Sequence, residues 1–135
     1  MLLFLCVALL QGPAAAIPMK TIEAGTQSQI EESRQVLARS AEEWAMLWRQ
    51  HSWDREAPAV DFAQEMVVGV FLGGRPTAGF GIQIVGVREE HGALVVQYRE
   101  TRPPSGALTA QVITSPYQLV TLPRRTGDVR FEKIE

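Results

Sequence analysis

Cysteine is almost absent from this chain: Cys6 is the only one in 135 residues, and it lies inside the first apolar run. A single cysteine excludes a disulfide framework and a thiolate zinc site. Histidine is nearly as scarce. His51 and His91 stand alone, whereas a zinc centre takes three or four ligands at motif spacing, so no metal site and no cofactor are expected. There is no basic excess either. Thirteen Lys and Arg stand against fifteen Asp and Glu, interspersed, for a net charge of −2. Nucleic-acid binding leaves a basic footprint on one face, so no nucleic-acid partner is expected. Finally, no apolar run approaches the roughly 20 residues that a membrane-crossing helix requires.

What is present begins with "MLLFLCVALLQGPAAA", sixteen residues without a charge. A run of nine apolar residues, a Gly-Pro break and an Ala-x-Ala site are the ordered parts of a secretory signal. Cleavage is expected after Ala16, giving an exported domain bound for the periplasm, the cell envelope or the medium. The positive charge that usually opens such a signal is missing. An uncleaved anchor is the rival, and it is the only membrane contact expected. Cleavage would also remove Cys6. The division read from the sequence is 1–16 signal, 17–39 polar leader and 40–135 domain, a length suited to one modest core.

Residues 40–51, "SAEEWAMLWRQH", carry the clearest helix signal. Ser40 and Glu43 stand three apart as a capping box, and Trp44, Leu47, Trp48 and His51 fall on one stripe. Two indoles on one side need a surface to cover, and the strands that follow supply it. Residues 66–72, "MVVGVFL", are apolar on both faces, as a central strand covered on both sides would be. Strands are expected at 80–87, 93–101, 108–114, 117–122 and 129–132, with a short edge strand near 20–23 and a polar turn at "REEH". The predicted fold is α+β: one N-terminal helix packed on a mainly antiparallel sheet of five to six strands. An open sheet, a sandwich and a partial barrel all fit this order.

"FLGGRPTAGFGIQIVGV" contains five glycines and a proline between apolar runs. A phosphate loop needs Lys and Ser or Thr after its second glycine and then a helix. Here Phe80 and Gly81 occupy those places and a strand follows, so the loop is a chain reversal, with Gly73 and Gly74 supplying positive φ and Pro76 a fixed φ. Catalytic constellations are missing as well. His51 has no cysteine to activate and no ordered Ser-His-Asp pattern around it. Glu42-Glu43 and Glu89-Glu90 are neighbours whose side chains diverge, and Arg124-Arg125 reads as a solvated turn. No catalytic residue is assigned, and the domain is not expected to be an enzyme. What remains are proline-stiffened loops, which lose little entropy on docking. The candidate protein-binding residues are Arg75, Pro76, Thr77, Phe80, Arg102, Pro103, Pro104, Ser115, Pro116 and Tyr117.

The segments "VDFAQEMVVGVFLGGRPTAGFGIQIVGV", "LVVQYRETRPP" and "TSPYQLVTLP" resemble the C-terminal domain of PrcB, a subunit of a bacterial protease complex. The shared features are an Asp-Phe opening, a Val-rich strand ending Phe-Leu-Gly, a Pro-Thr-Gly-Gly-Tyr turn, paired prolines and a Ser-Pro-Tyr. In this turn Ala78 replaces a glycine and Phe80 the tyrosine. The likeness runs from about residue 41 to 131. It implies an exported accessory domain, without catalytic residues, that associates with a protein partner such as an envelope or secreted protease. A narrower likeness is to chagasin-type protease inhibitors, whose Asn-Pro-Thr-Thr-Gly-Tyr loop plugs a protease cleft beside an Arg-Pro-Trp loop. Pro76, Thr77 and Gly79 match; Arg75, Phe80 and Pro104 replace the Asn, the Tyr and the Trp. That likeness implies inhibition through the loops at 75–80 and 102–106.

Overall fold

A computed structural model describes residues 16–135; the signal segment expected at 1–16, with Cys6, lies outside the described residues apart from Ala16. Seven strands and one helix follow in the order β1 (Lys20–Gly25), β2 (Arg34–Ala38), α1 (Ala41–His51), β3 (Glu65–Phe71), β4 (Gly81–Glu90), β5 (Ala93–Thr101), β6 (Tyr117–Pro123) and β7 (Val129–Ile134). They form two sheets, β1-β6-β3-β2 and β4-β5-β7. Every pair is antiparallel except β5–β7, which is parallel because the chain visits the other sheet, as β6, between them.

β3 is the strand around which the layers assemble, and its period-two pattern explains why. Met66, Val68, Val70 and Leu72 point into the core between the sheets, against Ile82, Ile84, Val87, Leu94, Val96 and Tyr98. Val67 and Phe71 point the other way, into a second core with Trp44, Leu47, Trp48, Tyr117 and Leu119. A strand buried on both faces must be apolar throughout, and "MVVGVF" is. The helix closes this second core. Ser40 Oγ accepts from the Glu43 N–H at 3.2 Å and caps its first turn. Both indole N–H groups reach carbonyls, Trp44 to Pro58 at 3.0 Å and Trp48 to Arg55 at 2.8 Å, so neither ring buries an unmet donor.

Several expectations are corrected. The strands number seven rather than five to six, and they lie in two packed sheets. The helix is the third element and not the first, because residues 17–39 contribute β1 and β2 as the outer strands of the four-stranded sheet. β1 contains the short edge strand expected near 20–23; edge strands are half exposed, so the polar remainder of this segment reads as a leader. Ile17 is itself buried, its N–H donating to the Val87 carbonyl at 2.9 Å. Residues 108–114 form no strand: Leu108, Val112 and Ile113 are exposed, and only Thr114 bridges, to Arg75. Apolar residues form a strand only where they meet a partner strand, and before Thr114 this segment has none. The turn after β4 is His91-Gly92, both at positive φ (50° and 80°), so the strand runs through "REE". The two sheets are not closed into a barrel. At the gap the Gln118 side chain of β6 accepts from the Ile84 N–H of β4 at 2.6 Å, one bond where closure would place a ladder.

Candidate functional site

The loops singled out in the sequence meet at one end of the domain. After β3 the chain turns at Gly73, whose φ is +84°. A Cβ there would lie 2.8 Å from the Glu31 carbonyl oxygen, so only glycine fits. Gly74 is not at positive φ, which corrects that expectation; its N–H donates to the Glu31 carbonyl at 2.9 Å. Arg75 and Thr114 then exchange two backbone bonds, of 2.7 and 2.9 Å, and the Ala78 N–H donates to the Ala110 carbonyl at 3.1 Å. The Thr114 hydroxyl donates to the Thr77 carbonyl at 3.0 Å. Residues 75–80 and 102–114 are therefore laced together by main-chain bonds rather than left as separate loops.

Between them lies a cleft of about 440 Å³ lined by Leu72, Arg75, Phe80, Glu100, Arg102 and Pro103. The Arg75 guanidinium sits over the Phe80 ring, 5.9 Å from its centroid. Glu100 is held by Lys133 at 2.9 Å, while Arg75 and Arg102 form no ion pair among the described residues. The cleft is thus apolar at its floor and net positive at its rim. Beside it, Leu108 is fully exposed and Ile113 is 75% exposed. Beyond Gly73-Gly74 a second cleft, of about 500 Å³, is lined by Ile30, Glu32, Arg34, Gln50 and Trp53. Trp53 is 80% exposed.

Of the ten candidate residues, Arg75, Pro76, Thr77, Phe80, Arg102, Pro103 and Pro104 gather at this end, with Pro76, Arg102 and Pro104 the most open. Ser115, Pro116 and Tyr117 do not belong to the displayed surface. They are buried. The Ser115 hydroxyl donates to the Ile30 carbonyl at 2.6 Å, the Pro116 carbonyl accepts from Leu72 N–H at 2.9 Å, and Tyr117 begins β6. Their conspicuous sequence reflects a packed corner that ties three loops together.

Gly79 tests the lacing. Its φ is +95°, and a Cβ would stand 2.9 Å from Pro103 Cβ. Gly79→Ala is expected to cost about 1–3 kcal/mol through backbone strain and this clash. It should also raise amide hydrogen exchange at Ala78 and Thr114, while amides in β3 follow only the global loss. Equal protection at Ala78 and Thr114 in the variant would show that the two loops are independent.

A polar cluster that sequence reading missed lies behind Tyr117. His51, fully buried, has Nδ1 2.8 Å from Ser28 Oγ and Nε2 3.6 Å from Glu23. Ser28 Oγ also accepts from the Ile30 N–H at 3.1 Å. These bonds are met together when Ser28 donates to Nδ1 and the ring carries its proton on Nε2, facing Glu23. Glu23 accepts from Arg55 at 2.7 and 3.1 Å and from the Tyr117 hydroxyl. Burial raises the Glu23 carboxyl, but bonds from Arg55 and Tyr117 and the charges of Arg55 and His51 outweigh it and hold it below the usual carboxylate range. Burial also pushes the Tyr117 hydroxyl well up, reinforced by Glu23. Serine, imidazole and carboxylate stand here in the order of a hydrolytic triad, yet neither Ser28 nor His51 lines either cleft. The aromatic rings of Trp48, Phe71 and Tyr117 enclose the imidazole. The cluster clamps β1, α1 and β6 together. Its members are up to 94 residues apart, and no local motif signals them.

A two-sheet β domain, one helix covering its outer face and a laced loop pair at one end, defines the class of protein. The family model described as PrcB C-terminal matches residues 66–123. It spans β3 to β6, including both loops and the cleft between them; α1 and the polar cluster's Glu23, Ser28, His51 and Arg55 fall outside it. No curated protein and no solved structure matches the chain.

Proposed function

We propose that this is an exported, non-catalytic interaction domain that docks a protein partner through the cleft end. The observation that carries this reading is the convergence of the 75–80 and 102–104 loops on one pre-formed cleft beside exposed Leu108 and Ile113. Loops fixed by main-chain bonds give up little entropy on binding. Apolar side chains left in water next to an arginine-lined groove are the usual anatomy of a contact surface. By analogy with the family, the partner is an envelope or secreted protease or one of its companions. Export rests on the signal pattern at residues 1–16, and N-terminal sequencing of the secreted product tests it. Among the described residues, no helix is long and apolar enough to cross a membrane.

The docking test compares crosslinked partners of the native protein with those of Leu108→Glu and Arg102→Glu variants. A partner captured by the wild type should be lost from both, and retained by an Arg49→Glu control on the exposed face of α1. Capture that is indifferent to the cleft substitutions rules out this surface. The adjacency of the two loops also favours a second reading, inhibition of a papain-like protease. That reading requires slowed turnover of papain at micromolar domain, with the effect lost in Arg102→Glu.

A further inference from the structure

The end of the domain opposite the loop cleft carries a third and larger cleft, of about 790 Å³, lined by Gln64, Glu89, Leu94, Arg124, Arg125 and Thr126. We infer that this cleft is an oxyanion site of phosphate type, with Arg124 and Arg125 as direct ligands and Arg39 as a supporting charge. The inference is independent of the loop-end reading.

Three guanidinium groups are brought to this corner from different parts of the chain, and each is already seated. Arg124 donates to the Phe62 carbonyl at 2.5 Å and Arg125 to Glu89 at 2.7 Å; Arg39, just before α1, donates to the Gly127 carbonyl in the same turn as Arg124 and Arg125. The backbone is tied down as well, with the Arg124 N–H donating to the Gln64 carbonyl at 2.8 Å. Two of these three partners are neutral carbonyls, which orient a guanidinium without cancelling its charge. Glu89 offsets Arg125 alone. Asp61 and Asp128 flank the rim in sequence, and neither forms an ion pair among the described residues.

The corner therefore gathers three guanidinium groups about a recess, on side chains whose rotamers are set before any ligand arrives. A guanidinium held by one of its nitrogens still has others to offer, and its planar fork matches phosphate oxygens. Thr126 adds a hydroxyl to the lining.

The test is a titration of isotope-labelled protein with inorganic phosphate at constant ionic strength, followed by amide NMR. Saturable shifts are expected at Gln64, Thr126 and Gly127. They should weaken about tenfold or more in an Arg124→Gln/Arg125→Gln double variant, the loss expected when charge-assisted bonds are removed. Arg102→Gln, at the other end, should leave them unchanged. Because Arg125 also steadies Glu89, Arg39→Gln serves as a second variant, expected to weaken binding by a smaller factor. A parallel arm measures cosedimentation with phosphatidylglycerol vesicles against phosphatidylcholine vesicles. Binding to the former that is lost in the double variant assigns a lipid headgroup; response to inorganic phosphate alone assigns a soluble phosphate. Shifts that never saturate, or that persist in the double variant, overturn the site.

Discussion

Trp48→Ala is expected to destabilise the domain by about 3–5 kcal/mol, within the range for removing a large aromatic from a core and a large share of a typical 5–15 kcal/mol total. Trp48 is buried, packs on Trp44 at 5.4 Å and on His51 at 5.0 Å, and donates to the Arg55 carbonyl at 2.8 Å. Its loss opens a cavity between α1 and the face of β3 and β6, and strands a carbonyl that the indole had satisfied. Trp48→Phe should cost less, since most of the area survives and only the bond is lost. Trp53→Ala, on an exposed side chain, should stay within about 0.5 kcal/mol of wild type. Urea unfolding followed by circular dichroism reads all three. Similar midpoints for Trp48→Ala and Trp53→Ala would mean that the helix does not cover the sheet.

The second large effect is a two-stage loss of stability in acid. Burial pushes the His51 imidazole below its ordinary 6.5, with Glu23 opposing and Arg55 adding to the shift. As pH falls through 6.5 the unfolded chain takes up a proton that the folded protein refuses, so stability declines from there until the folded value is reached. Glu23 acts lower down. Its carboxyl is depressed below 4.5, so its contribution is intact above that value and disappears as pH falls through the folded one. Each group can add a slope of at most about 1.4 kcal/mol per pH unit. His51→Gln should abolish the upper stage and leave the lower; Glu23→Gln should do the reverse. Unfolding free energies measured across the acid range decide this, and an unchanged upper slope in His51→Gln would remove His51 from the account.

The legible parts of the fold were those whose signal is local. Ser40, Glu43 and the Trp44-Leu47-Trp48-His51 stripe place the helix at 40–51, and the structure sets it at Ala41–His51. The all-apolar "MVVGVF" announced a strand covered twice, as β3 is. Misreadings came where a residue's appearance depends on distant neighbours. Leu108, Val112 and Ile113 make 108–114 look like a strand, but they stand exposed and unpaired in any sheet. Ser115, Pro116 and Tyr117 look like a display loop, yet bonds to Thr26, Ile30 and Leu72 draw them inside. The edge strand expected near 20–23 is β1, whereas β2 escaped notice because an edge strand needs only one buried face.

The sequence by itself determined which segments would be helix, central strand or glycine turn, since capping, periodicity and positive φ are properties of a few adjacent residues. It also placed the 75–80 and 102–104 loops among the surfaces to examine. Only the tertiary structure decided that these loops share a cleft, that β7 runs parallel to β5, and that Arg39 joins Arg124 and Arg125. It alone put His51 between Ser28 and Glu23. Those outcomes depend on contacts between residues far apart in the chain, and the free energy that selects such contacts comes from packing and hydrogen bonding across layers. No window of neighbouring residues contains it.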